Sequence, residues 1–179
     1  MYYGTSYKSP VGDIFLASDE NNIIGLWIGR QKYIDKTMPK DIRENDKLPI
    51  IRAGVQWLDD YFAGKNPKLS GLSLAPIGSQ FRQEVWKLLL EIPYGELTTY
   101  GSISKEVARR MGKERMSAQA VGGAIGHNPI SIIIPCHRVV GTNKSLTGYA
   151  GGIEKKIKLL KHEGVDMSDL IIPKTGTAL

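Results

Sequence analysis

Cys136 is the only cysteine in the chain, and His137 follows it directly in the run Pro135-Cys136-His137-Arg138-Val139-Val140-Gly141. A lone thiol forms no intramolecular disulfide and excludes a multi-cysteine zinc site. It is either inert packing or a nucleophile, and its neighbours decide which. Apolar surroundings raise a thiol's pKa, whereas an imidazole supported by a carboxylate favours the thiolate, the reacting form. His137 offers the imidazole, and Glu163, next to His162 at the end of a later helical run, offers the carboxylate. Neighbouring side chains in extended chain point to opposite faces, so Cys136 and His137 need a bend or a bridging water to cooperate. A papain-like hydrolase places its histidine far off in sequence, which counts against protease or amidase chemistry. Cys136, His127, His137 and His162 are metal-ligand types, but their spacing matches no zinc pattern, and no metal is expected. On the Cys-His pair alone, a buried structural cysteine beside a surface histidine is the default reading.

The elements that must position these residues can be read around them. Ile130 to Ile134 is β-branched but for one serine, which predicts a buried strand ending at Pro135, immediately before the thiol. Upstream, Ser79 is the expected cap for a helix through Glu91 with Phe81, Val85, Leu88 and Leu89 on its buried side. Thr98 can cap a helix to about Arg110, Met111-Gly112-Lys113 interrupts it, and Ser117 caps a second helix from Ala118 to about Gly126. Two short helices around a Gly-containing break have the form of a helix-turn-helix. The second contains Gly122 and Gly123, each costing about 1 kcal/mol against alanine. Small residues there suit close packing against a neighbouring helix. They also suit the minor groove of DNA, about 6 Å wide. The residues alone leave these two readings even.

The first part of the chain reads differently. Tyr2–Lys8, Asp13–Ser18 and Ile23–Ile28 are short strands separated by turn residues, which predicts an antiparallel meander. Residues 30–47 are expected to form a polar surface loop, and a helix from Leu48 should bury Ile51, Val55, Leu58 and Phe62 before stopping at Gly64. Asn66-Pro67, Gly71, Pro76 and Gly78 mark a connector, so the domains are placed at 1–75 and 76–172, with a loose tail at 173–179. The expected fold class is α+β in two domains.

Lysine and arginine number 24 against 18 acidic residues, a net charge of +6, with 41% apolar and 23% charged residues. This balance excludes a disordered chain or a collagen-like repeat. No apolar run reaches the roughly 18–20 residues needed to span a bilayer, and the first residues show no apolar signal core. A cytoplasmic, membrane-free protein is expected. A basic surface is the minimal electrostatic condition for binding nucleic acid.

Six motifs then occur in order: Tyr94-Gly95-Glu96-Leu97-Thr98-Thr99-Tyr100, Ala120-Val121-Gly122-Gly123-Ala124, Asn128-Pro129, Pro135-Cys136-His137-Arg138, Gly148-Tyr149-Ala150-Gly151-Gly152 and Leu159-Leu160-Lys161-His162-Glu163-Gly164. From Phe81 to Gly164 the chain closely resembles the O6-alkylguanine-DNA alkyltransferases (methylated-DNA–protein-cysteine methyltransferases). The resemblance implies an N-terminal ribonuclease-H-like α/β domain with antiparallel strands and a mostly helical C-terminal domain carrying the helix-turn-helix. The cysteines through which some members bind zinc in the N-terminal domain are missing here.

The resemblance further implies direct repair: base flipping from double-stranded DNA, then single-turnover transfer of the alkyl group to Cys136, without a cofactor. O6-alkylguanine is the implied substrate, with O4-methylthymine as a second. His137, bridged by water and oriented by Glu163, would take the thiol proton. Tyr100 would donate to N3 of the base, and Asn128 would bridge the recognition helix to the active-site segment. The carbonyls of Cys136 and Val139 would accept from the exocyclic amine, and the Ala150 N–H would donate to O6. Tyr149 and Gly151 would wall the pocket. Ser117, Ala118, Gln119, Ala120, Gly122, Gly123 and Arg138 would contact DNA, with the second helix in the minor groove of a duplex bound by a monomer. Gln119 departs from the arginine many members use to fill the gap left by the flipped base. The rival reading is an alkyltransferase-like lesion-binding protein without chemistry, but such proteins replace the cysteine. A helix-turn-helix regulator would need an effector or dimerisation domain for which the chain has no room.

Overall fold

A computed structural model describes residues 1–172; the expected tail at 173–179 lies outside the described residues. The chain divides into two compact units, Met1–Ile77 with Pro129–Ser131, and Gly78–Asn128 with Ile132 onward. The first unit takes its last strand partner from a segment more than fifty positions downstream of its main run.

In the first unit, β1 (Tyr2–Ser9), β2 (Gly12–Ser18) and β3 (Ile23–Ile28) form the meander, and β4 (Ile42–Glu44) joins β1 in parallel. The sheet order is β3-β2-β1-β4. Every residue of β3 is buried, as expected of a strand covered on both faces. On one face, Ala17, Ile24 and Trp27 pack with Ile34, Met38 and Ala75. On the other, α2 (Pro49–Phe62) lies against Leu16 and Ile23, which a Cβ at Gly54 would press upon. The outer edge of β3 is closed by two backbone bridges, Ile23 to Leu74 and Leu26 to Ile130. Paired in this way, it offers no open ladder to another chain. Gly25 has a specific reason: the Trp27 ring occupies the space a side chain there would need.

Two expectations for this unit need correction. Residues 30–47 are not all loop, because α1 (Ile34–Thr37) and β4 lie within them. The Trp27 indole donates to Thr37 Oγ1 at 2.9 Å, tying α1 to the sheet. The buried face of α2 is Ile51, Gly54, Leu58 and Tyr61, while Val55 and Phe62 are only half-buried. Gly54 lets the helix backbone approach the sheet, and the helix is turned toward it.

The second unit contains α3 (Gln80–Leu90), β5 (Thr98–Thr99), α4 (Tyr100–Arg110), α5 (Ala118–Gly126), β6 (Val139–Val140) and α6 (Ile153–His162). Ser79 and Ser117 cap α3 and α5, accepting from the Arg82 and Ala120 N–H groups. The cap of α4 is Thr99, not Thr98: its hydroxyl accepts from Ser102 N at 3.1 Å, and both threonines pair in parallel with β6. In α3, Phe81 is only half-buried; Trp86 is buried with Val85, Leu88 and Leu89, and its indole donates to Ala124 O of α5 at 2.9 Å. Ser104 donates to Met116 O at 2.8 Å, pinning the α4–α5 turn to α4. Among the described residues no helix is long and apolar enough to cross a membrane.

Ile130–Ile134 is buried as expected but is not a strand. Only Ile130 pairs, residues 131–133 turn, and Ile132 adopts φ +68°. Pro129 and Pro135 lack amide donors, so a continuous ladder is not available across the segment. A β-branched residue in the left-handed region is strained, on the order of 1–3 kcal/mol.

Candidate active site

Pro135 ends this turn and leads into a single 3-10 turn, Cys136–Arg138, followed at once by β6. The turn is the bend that adjacent cysteine and histidine need to avoid opposite faces. The Cys136 amide closes onto Ile134 O at 2.8 Å and the Arg138 amide onto Pro135 O at 3.0 Å. Cys136 is a free thiol and is 5% exposed; His137 is 0% exposed.

Asn128, next to the C-terminal cap of α5, turns its amide on this segment. Nδ2 donates to Ile134 O at 2.8 Å and to Cys136 Sγ at 3.2 Å. A side chain anchored beside the small-residue helix therefore touches the thiol directly. Burial pushes the Cys136 pKa up, against the opposing influence of the Asn128 donor and the nearby Lys156 charge. The resting group is a protonated thiol, so reaction requires a base.

His137 Nε2 lies 2.6 Å from Glu163 Oε1. With Glu163 ionised, Nε2 carries the proton and donates, which leaves a lone pair on Nδ1. Nδ1 is buried and meets no hydrogen-bond partner among the described residues. Burial holds the His137 pKa below its ordinary value despite Glu163, so the ring is a neutral acceptor at physiological pH. Burial alone would raise the Glu163 carboxyl; hydrogen bonds from His137 and Arg138 overcome this and hold it well below the usual range. Its place as the C-terminal cap residue of α6 turns it inward, where Oε2 also accepts from Gly95 N at 3.1 Å.

Tyr100 opens α4, and its hydroxyl donates to Thr147 O at 3.0 Å, with Gly148 O at 3.2 Å. Burial holds the phenol protonated. Gly148, at φ +75°, has no room for a side chain because the Tyr100 hydroxyl fills that space. The same loop continues to Tyr149, buried, and to Ala150 and Gly151, both half-buried. Val139 is buried, and its carbonyl is already engaged by Lys156 Nζ.

Ser117, Ala118, Gln119, Ala120 and Gly123 are exposed and Gly122 half-exposed, while Val121, Ala124 and Ile125 are buried. One side of α5 is thus a shallow, uncharged, solvent-facing strip. Arg138 does not belong with it. Expected to contact DNA, its guanidinium is instead buried, with Nε 2.8 Å and Nη2 3.0 Å from Glu163 and Nη1 2.6 Å from Ile92 O. All three of its nitrogens are bonded inside the unit.

Sequence reasoning missed Lys156, which is 0% exposed and donates to the Val139 and Thr147 carbonyls. Burial lowers its pKa from 10.5 to about 8. A signal existed: Lys156 shares the helical spacing of Leu159, Leu160 and Glu163, so it lies on the buried stripe of α6.

The family model described as 6-O-methylguanine DNA methyltransferase, DNA binding domain, matches residues 80–165, and that described as the ribonuclease-like domain matches residues 1–76. A methylated-DNA–protein-cysteine methyltransferase of Haemophilus influenzae is 41% identical over 169 residues, covering 94% of this chain and 89% of the relative. One from Methanosarcina barkeri is 46% identical over 164 residues, covering 91% and 97%. The crystal structure of Mycobacterium tuberculosis OGT in complex with DNA has a TM-score of 0.74 at 38% identity, covering 90% of this chain and 91% of that one. The chain belongs to the 6-O-methylguanine DNA methyltransferase family.

Proposed function

We propose that the protein repairs DNA by direct reversal, transferring the alkyl group of O6-alkylguanine to Cys136 in a single turnover. The observation that carries this reading is the sole thiol, seated in a tight turn between the Asn128 donor and the neighbouring His137–Glu163 pair. The thiol is buried beside its polar neighbours, so a base inside duplex DNA must be extruded to reach it.

The chemistry is an in-line displacement. The Cys136 proton passes to Nδ1 of His137 through a water, and Glu163 stabilises the imidazolium as it forms. Sγ bonds the alkyl carbon while the carbon–O6 bond breaks, and the proton lost by the thiol is balanced by one gained by the purine. Tyr100, its phenol protonated, donates toward N3 of the leaving base. The Val139 and Cys136 carbonyls accept from the exocyclic amine, and the Ala150 N–H meets O6, with Tyr149 and Gly151 beside it. Asn128 donates to the sulfur more strongly as charge develops on it. The product is a thioether, which does not hydrolyse readily, so each molecule acts once and no cofactor is needed.

The protein binds double-stranded DNA. We assign the exposed strip of α5, from Ser117 to Gly123, to the minor groove, with the protein acting as a monomer in the cytoplasm and accepting O4-methylthymine as a second substrate. Small side chains and the lack of charge on that strip support close approach to a narrow groove.

Incubation with a duplex containing O6-methylguanine, followed by intact-mass and peptide analysis, tests the proposal. One methyl per chain, on Cys136, and none in Cys136→Ala, is the expected result. Repeated turnover, or a methyl elsewhere, would overturn it. Binding to the lesion without any mass change would leave a lesion-binding protein instead.

A further inference from the structure

The Glu163 carboxylate is shared. Oε1 faces both His137 Nε2 at 2.6 Å and Arg138 Nη2 at 3.0 Å, and Oε2 faces Arg138 Nε at 2.8 Å and Gly95 N at 3.1 Å. Arg138 is itself fixed on two further sides, by Ile92 O at 2.6 Å and by the Tyr94 ring, whose centroid is 5.7 Å away. A guanidinium gripping a carboxylate through two nitrogens in a buried site opposes its charge. A carboxylate free of such a partner would find its counter-charge by protonating the imidazole beside it.

We propose that Arg138 is a positioning residue that keeps His137 a proton acceptor by neutralising the carboxylate the two share. This rests on the reading of Cys136 as alkyl acceptor and His137 as its base. The arginine never touches the substrate; it acts through Glu163. The arrangement divides the work of one carboxylate. Its charge is met by Arg138, and its geometry holds the ring so that Nδ1 presents a lone pair. The other groups that bear on His137 are Lys156, whose positive charge also opposes an imidazolium, and Cys136, its neighbour in the turn. Tyr94 faces Arg138 and Glu163, and Tyr100 faces Cys136.

Removal of the guanidinium takes the charged partner from the buried Glu163 anion, while the Gly95 N–H and the imidazole stay beside it. His137, the stronger base of that pair, then takes up a proton. A protonated imidazole has no lone pair to offer the thiol, so transfer is lost at higher pH than before. The direction is fixed: the acid limb of the rate–pH profile moves toward alkaline pH.

The experiment is single-turnover alkylation by free O6-benzylguanine between pH 5 and pH 9, on order of magnitude steps in buffer proton activity. Wild type, Arg138→Met, Arg138→Gln and Arg138→Lys are compared. In Arg138→Met and Arg138→Gln the acid limb is expected to rise by about one unit or more, a tenfold or larger loss on the acid side. Arg138→Lys, which keeps a charge but only a point donor, should cancel more than half of the shift. The position of the limb is the readout, not the height of the plateau, and its return in Arg138→Lys, which disturbs the packing but keeps the charge, separates loss of the charge from hydration of the buried ring. If Arg138→Met fails to fold, Arg138→Gln, which retains a donor toward Glu163, carries the test. Nitrogen-15 NMR titration of His137, assigned by difference with His137→Gln, must show the same displacement. A limb that stays where the wild type has it in a folded variant overturns the role of Arg138. Absence of alkylation in the wild type would overturn the reading of Cys136 instead.

Discussion

The side-chain amide of Asn128 donates to Cys136 Sγ from 3.2 Å while holding the Ile134 carbonyl at 2.8 Å. One group thus fixes the strained turn ahead of the thiol and supplies the reacting sulfur with a donor. A hydrogen bond to a charged group contributes about 1.5–3 kcal/mol, against about 1 kcal/mol for a neutral one. The Asn128–sulfur bond therefore favours thiolate over thiol. Asn128→Ala should slow alkyl transfer about tenfold or more. It should also lower stability by about 1–3 kcal/mol, because a buried carbonyl loses its partner. Single-turnover rates with free O6-benzylguanine and urea denaturation measure the two effects separately. A stability loss without a rate loss would show that Asn128 only holds the turn.

Lys156 makes stability depend on alkaline pH. Its folded-state pKa is lowered to about 8 from 10.5 by burial. Between those values the unfolded chain binds more protons than the folded one, so stability from this group rises with pH across the window. Below about 8 the charge is present in both states and burial disfavours the fold by on the order of 3 kcal/mol relative to pH above 10.5. The hydrogen bonds to Val139 O and Thr147 O offset part of that at every pH. Lys156→Met should therefore remove the rise. The stability difference between wild type and variant, followed from pH 7 to pH 11, should move in favour of wild type by a few kcal/mol. A difference that is flat across the window would show that Lys156 is not desolvated.

Much of this architecture is legible in the residues because local chemistry and tertiary packing agree. Ser79 and Ser117 cap where a short polar side chain precedes an apolar period, and His137 meets Glu163 as their types suggest. Where the two disagree, packing wins. The β-branched run Ile130–Ile134 has strand propensity but is bounded by two prolines and must turn to deliver the thiol. Gly54 turns α2 so that Tyr61, not Phe62, faces the sheet. The resemblance places Arg138 on DNA, and nothing in the local sequence marks Lys156 as buried other than its helical spacing. Both are buried because partners distant in sequence, Glu163 and Ile92 for one and Val139 and Thr147 for the other, satisfy them. Periodicity along one segment does not reveal such partners.

Affinity for DNA should come from cations that have no partner within the protein. Arg110 is held by Glu91 and Glu106, and Arg109 by Glu106. Lys113 and Arg115, exposed in the α4–α5 turn, make no ion pair among the described residues. Each of Lys113→Ala and Arg115→Ala should reduce the slope of log affinity against log salt by about one, whatever the duplex sequence. Arg110→Ala should change the slope less. Fluorescence anisotropy titrations on two unrelated duplexes at several salt concentrations measure this. A strong preference for one duplex would indicate base reading and a different DNA-binding mode.

Gln119 lies exposed on the first turn of α5, on the same side as Ala118, Ala120 and Gly123. If this side enters the minor groove, its amide is the longest group available to fill the space vacated by an extruded base. Extrusion costs a few kcal/mol, and filling the hole recovers part of that by contact and hydrogen bonding to the orphan partner. An arginine would add charge near the phosphates and a plane that can stack, neither of which an amide provides. Gln119→Ala should therefore slow transfer from duplex DNA by roughly fivefold to thirtyfold, corresponding to about 1–2 kcal/mol of the flipping energy. Transfer from free O6-benzylguanine, which requires no flipping, should stay at the wild-type rate, because Gln119 is on the outer side of the helix from the buried Val121, Ala124 and Ile125. Gln119→Arg should equal or exceed wild type on the duplex, since the exposed position leaves room for the longer side chain. Paired single-turnover measurements on the two substrates separate these effects. Equal duplex rates for wild type and Gln119→Ala would remove Gln119 from the DNA-contacting surface while leaving Cys136 as the acceptor, and slower transfer from the free base would place its influence on the pocket rather than on the groove.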